Sequence, residues 1–262
     1  MRDVELMMLV RAIVDADDAV ISGLLAANPA LVKAHFEDGA TRRMAKPYHI
    51  DEIGHYLYSG DTALHMAAAS YREEIARRLI AIGADVRARN RLGAEPLHYA
   101  VDGTPGSRAW NPGAQAATVA CLIDAGADPN ALDKSGVTPL HRAVRTRCAA
   151  AVKALLEGGA DPRRKNKHGS TPMLLATRNT GRGGSGSREA KAQQEQIVRL
   201  LQEHIDNQNL IRGGYGGRPG NCYGATPSTM KSFSVPYFSP MANAAFDAAE
   251  LAQACAFSRL SN

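Results

Sequence analysis

The sequence predicts an all-α solenoid of stacked helical hairpins, and three observations carry that prediction. A hexapeptide recurs as Thr62-Ala63-Leu64-His65-Met66-Ala67, Glu95-Pro96-Leu97-His98-Tyr99-Ala100, Thr138-Pro139-Leu140-His141-Arg142-Ala143 and Thr171-Pro172-Met173-Leu174-Leu175-Ala176, at spacings of 33, 43 and 33 residues. A tripeptide recurs in the same phase, at Gly83-Ala84-Asp85, Gly126-Ala127-Asp128 and Gly159-Ala160-Asp161. Between them run apolar stripes of helical spacing. Two motifs in one phase mark a repeated supersecondary unit, and a unit that cannot bury its own apolar stripe must stack on copies of itself.

Residues 1–59 read as a degenerate capping repeat followed by a long insertion. Leu6, Leu9, Val10 and Ile13 give a first helical stripe, Val20 to Leu25 a second, and Asn28-Pro29 a break. Arg2, Asp3, Glu5, Arg11 and Asp15 supply the polar side that the end of a solenoid requires. The segment 36–59 holds Arg42-Arg43, Lys46-Pro47-Tyr48 and His55-Tyr56-Leu57-Tyr58. Its sequence allows two readings, an elaborated hairpin packed over the next repeat or a tyrosine-rich contact surface.

The repeats proper are expected over residues 60–205. In the third copy, Pro139 suits a first helical turn, where no backbone donor is needed, and Thr138 suits the N-cap. A second helix is predicted at Ala149 to Glu157, with Val152, Leu155 and Leu156 forming its stripe and Gly158-Gly159 ending it. Ile75, Leu79 and Ile80 repeat that stripe in the first copy, and Val119, Leu122 and Ile123 in the second. Two insertions fall between first and second helices. One, at 103–112, carries the single tryptophan, Trp110, and the other is the Gly/Ser/Arg-rich stretch 181–188. Both should leave the stack on one side, as flexible connections or as a secondary partner site centred on Trp110. Beyond Asp206 the composition turns to Gly, Pro, Ser and Asn, which predicts a disordered tail over 206–262, with helical character returning from Met241 to Leu260.

Over residues 60–205 the chain resembles the ankyrin-repeat family, whose unit is a hairpin turn and two antiparallel helices with a Thr-Pro-Leu-His-x-Ala signature. The resemblance implies an ankyrin-repeat solenoid and a non-catalytic role in binding another protein. It also implies that His65, His98 and His141 hydrogen-bond the backbone of a neighbouring turn, and that Leu174 leaves this network incomplete in the fourth copy. The family recognises partners through its hairpin tips and the exposed, concave side of its first helices. Carried across position by position, this gives Arg91, Leu92 and Ala94 in the second copy, Lys134, Ser135, Val137, Arg145 and Thr146 in the third, and Lys167, His168 and Ser170 in the fourth.

Charge and composition are consistent with that class. The chain has 262 residues, 45% hydrophobic and 5% aromatic, with a formal net charge of +5. Residues 60 to 176 hold 16 Lys/Arg against 11 Asp/Glu, and the remainder balances at 15 against 15. This modest excess points to a partner with an acidic face, and falls short of the dense basic stripe of a nucleic-acid binder. The run Arg163-Arg164-Lys165-Asn166-Lys167-His168 occupies a predicted turn, where it is solvated, meets acidic protein or, as the alternative function, touches nucleic acid. The four cysteines are spaced too far apart for a Cys-x-x-Cys site and read as free thiols. The sequence holds no nucleophile elbow, His-Glu-x-x-His or dinucleotide fingerprint, so neither catalysis, a metal nor a cofactor is expected, and a regulatory subunit of an enzyme is a further alternative. Asp85, Asp128 and Asp161 are expected to cap turns. With no long apolar run and no basic-then-apolar start, a cytoplasmic location is expected.

Overall fold

The computed structural model describes residues 2–103, 105, 110–178 and 187–213. The repeats lie in a compact unit, Met1–Gly216. The expected terminal helix at 241–260, the tail beyond 213 and nearly all of the insertion 181–188 fall outside the described residues.

Helices come in pairs. The capping pair is α1 (Arg2–Asp15) and α2 (Asp18–Ala27), with the Asp17 side chain accepting from the Val20 amide at 3.0 Å. A 3-10 turn at Pro29–Val32 follows. Four further pairs are α3 (Ala63–Ala69) with α4 (Glu73–Ala81), α5 (Pro96–Ala100) with α6 (Pro112–Asp124), α7 (Pro139–Thr146) with α8 (Ala149–Glu157), and α9 (Pro172–Thr177) with α10 (Arg188–Gly213). The first helices pack in the sequence α1, α3, α5, α7, α9, and the second helices in the sequence α4, α6, α8, α10. The expected all-α solenoid is therefore the observed architecture.

Local chemistry starts each first helix. Thr62, Thr138 and Thr171 sit at N-caps in extended backbone and accept from the amides of His65, His141 and Leu174. Glu95 stands where the other copies have threonine. Prolines open α5, α7 and α9 at positions whose amide would have no helical partner. The second helices bury Ile75 and Leu79, Val119 and Leu122, and Val152 and Leu155 at equivalent places. Their stripes meet the first helices of the same unit and the second helices of the next, giving one continuous core from Leu6 to Leu201.

One feature departs from the sequence reading and a second was left open by it. The last helix passes Asp206 and continues to Gly213. Its far turns are held from outside, because Arg163 donates to Gln208 at 2.6 Å and to Asn209 at 2.6 Å. The segment 36–59 contains a small antiparallel hairpin, β1 (His49–Ile50) and β2 (His55–Tyr56), with His49 opposite Tyr56. Of its two readings, the packed hairpin is the one observed: Phe36 and Leu57 are fully buried and Ile50 nearly so.

Candidate functional site

The tip of each hairpin is built by one glycine and one amide or carboxylate side chain. Gly93, Gly136 and Gly169 take φ of 74°, 69° and 74°, a region that favours glycine. Three residues earlier stand Asn90, Asp133 and Asn166, whose side-chain oxygens each accept two backbone amides across the turn. Successive tips are then joined. The Arg91 amide donates to Ser59 O at 2.8 Å, Lys134 to Leu92 O at 2.9 Å and Lys167 to Ser135 O at 3.2 Å. The lysine stems lie across the glycine of the preceding tip, where a Cβ on Gly93 would stand 3.2 Å from Lys134 Cγ and one on Gly136 3.1 Å from Lys167 Cγ. Arg91, Lys134 and Lys167 thus occupy one position in three consecutive units.

The part of the first-helix face that α3 and α5 carry is already covered. The 36–59 segment crosses it from the tips to the opposite edge. At the tip end, the Arg91 guanidinium donates to the Ala40 carbonyl and lies 5.1 Å from the centre of the Tyr58 ring. Burial raises the pKa of the Tyr58 hydroxyl, with Arg91 pulling the other way. Mid-face, the His55 ring stacks at 4.4 Å on Tyr99, and its Nε2 is 3.5 Å from Asp102. Asp102 in turn pairs at 3.0 Å with Arg142, which reaches Asp133 at 3.2 Å. Burial disfavours the Arg142 charge, but the two carboxylates overcome it and its pKa is raised; burial likewise works against the Asp102 carboxylate, yet Arg142 and His55 hold it below the usual range.

Beneath this layer Asp61 is fully buried and saturated. It accepts from the Tyr58 amide at 2.7 Å, from Asn90 at 2.9 Å and from the Tyr99 hydroxyl at 2.9 Å. Three donors at those distances offset the cost of burying its polar side chain. The histidines form the companion series: His65, His98 and His141 reach the carbonyls of Ala94, Val137 and Ser170 at 3.2, 3.1 and 3.0 Å, each in the following tip. Leu174, at the same place in the fourth copy, is 36% exposed.

Two family models match the chain, one described as ankyrin repeats (3 copies) over residues 26–107 and one as ankyrin repeats (many copies) over residues 122–176. The chain belongs to the ankyrin-repeat family. No curated protein matches it. Ankyrin repeats are generally protein-protein interaction modules and are typically non-catalytic. Among the described residues of this ankyrin-repeat protein, no group of three His, Cys, Asp or Glu could hold a metal ion, and no helix is long and apolar enough to cross a membrane.

The candidate recognition residues separate into two sets. Lys134, Ser135, Lys167 and His168 are exposed along the tips. Ala94 is not: it is fully buried, because the residue between the tip glycine and the N-cap of α5 turns inward under His65. Thr146 bonds the carbonyl of Val101 at 3.0 Å and two carbonyls of its own helix, so its hydroxyl serves packing. Leu92, Val137, Ser170 and Arg145 are half-buried. Arg91 is exposed but anchors the crossing segment, so the concave part of the expected surface is corrected at α5, where that segment occupies it.

His55, Tyr58, Asp102 and Arg142 were missed as a connected group by sequence reasoning. The signal available was Arg142 in the apolar slot of its hexapeptide, where Met66 and Tyr99 stand in the first two copies. Trp110 is half-buried and lines a cavity of about 630 Å³ with Asp15, Glu52, Tyr71 and Arg72, at the edge opposite the tips. Asp85, Asp128 and Asp161 cap the amides two residues on, at 2.8 to 2.9 Å. Cys121 and Cys148 are free thiols, both buried.

Proposed function

We propose that this ankyrin-repeat protein is a non-catalytic docking module whose edge of hairpin tips, centred on the third and fourth units, binds an acidic face of another protein. One observation carries the reading. Lys134, Lys165 and Lys167 are exposed, and among the described residues none has an ion-pair or hydrogen-bond partner for its ammonium group. The nearest tip carboxylate, Asp133, is taken by Arg142 and two backbone amides. Uncompensated cations on a rigid edge raise association rates with an acidic surface and make binding salt-sensitive.

The neighbouring cations argue against a nucleic-acid reading of the same run. Arg163 is spent on α10 and Arg164 donates to the Asn130 carbonyl at 3.2 Å, which removes half of the basic cluster from the free edge.

The test is capture of partners from lysate, with nuclease present, by wild-type protein and by a Lys134→Glu, Lys165→Glu, Lys167→Glu variant of unchanged circular dichroism. A discrete protein held by the wild type, weakened by salt and lost from the variant is expected. Equal capture by both proteins would overturn the assignment, and capture abolished by nuclease would replace it with the nucleic-acid reading.

A further inference from the structure

We infer that the tip edge reads an extended acidic segment whose carboxylates recur at every third residue. This rests on the docking surface proposed above and adds the conformation and spacing of what lies on it.

The argument starts from the backbone joints. Arg91, Lys134 and Lys167 each hydrogen-bond the tip before their own, through Ser59, Leu92 and Ser135, and in the last two joints the accepting residue directly follows the preceding cation. The cations are therefore in register, one for each stacked unit, and packed helices stack at about 9 Å. The Lys134 and Lys167 stems lie against Gly93 and Gly136, which holds their first carbons in a common direction. The Ala40 carbonyl and the Tyr58 ring fix the Arg91 guanidinium, so the first position of the row is ordered before any ligand arrives.

The row is bounded at Arg91 by the 36–59 segment, through Ala40 and Tyr58. A chain in the polyproline II conformation advances about 9 Å in each turn of three residues, so side chains three apart share one face and match the step of the row. A fully extended strand places such residues on opposite faces. An α-helix covers the same step in about six residues, which does not bring a side chain back to the same face, and it is far wider than a single row of tips.

The experiment uses fluorescein-labelled synthetic peptides and the full chain, read by fluorescence anisotropy. One peptide carries glutamate at every third position among prolines and alanines; a second has the same composition with its glutamates gathered at one end; a third is Ala-rich and helical, with equal charge and glutamates seven apart. The spaced peptide is expected to bind about fivefold tighter than the gathered one for each additional carboxylate in register. Lys134→Ala is expected to cost as much as removing the central glutamate, with the two losses failing to add. Equal binding of the spaced and gathered peptides, or tighter binding of the helical one, would overturn the register while leaving the acidic partner standing. No binding by any of the three, together with capture that ignores the charge-reversed variant, would remove both.

Discussion

His98 Nε2 donates to the Val137 carbonyl at 3.1 Å, one unit further along the stack, while its Nδ1 accepts the Glu95 amide at 3.1 Å. Both bonds are made by the neutral ring, and a second proton would occupy the nitrogen that must accept. Burial, helped by Arg142, pushes the His98 pKa down to about 4, and burial also lowers His65 and His141. The unfolded value is about 6.5, so the unfolded chain binds protons first as pH falls. Stability is then complete above pH about 6.5 and declines towards pH about 4, by on the order of 3 kcal/mol for His98 alone. Thermal unfolding across that window should show the decline, with a shallower slope in His98→Gln. A flat profile, or an unchanged slope in the variant, contradicts this account.

Arg142 links two carboxylates that would otherwise repel across a partly buried surface. Arg142→Met is expected to cost about 3 kcal/mol in urea unfolding, because it strands Asp102 and Asp133. Much of the loss should return when Asp102→Asn and Asp133→Asn are added. A triple variant no more stable than the single one would show that packing, not charge, explains the cost.

Removing the side chain of Arg91 frees the crossing segment at its tip end. With a cation-π contact and a charge-assisted hydrogen bond lost, the open form should rise about tenfold. Trypsin should then cut after Arg42 or Arg43 correspondingly faster in Arg91→Ala, as read by mass spectrometry of short digests. An unchanged cleavage rate would mean that Phe36 and Leu57 hold the segment without help.

In the repeat core, Leu155 is fully buried between α8 and its neighbours, and Leu155→Ala should cost about 2–5 kcal/mol. Exposed Lys153 on the same helix should lose less than about 0.5 kcal/mol on substitution by alanine. Similar losses for the two would place the apolar stripe on the wrong side.

The helix starts were legible because caps and N-terminal prolines act within a few residues. Thr138, Pro139 and the limits of α8 needed no tertiary information, whereas the backbone partners of the histidines came from the family resemblance and not from the spacing. The burial of Ala94 was not legible, since the turn around Gly93 decides which neighbour faces inward. Nor was the path of the 36–59 segment, which has no period and whose route is fixed by contacts to Arg91, Tyr99 and Asp102. The extension of α10 beyond Asp206 escaped for the same reason: Arg163 supplies from another unit what the helix lacks locally. For the candidate site, the positions of Lys134 and Lys167 could be read from the repeat, but the covering of the inner face could not.

The joints between tips bear on how such a chain can grow. The last two are each specified by a glycine in one unit and a lysine in the next, and Lys134 and Lys167 are separated by one repeat length of 33 residues. Duplicating that unit would add another cation to the edge without creating an unfamiliar junction, and deleting it would shorten the edge by one. Ligand length is thereby open to change by copying, while the chemistry of each contact is inherited intact.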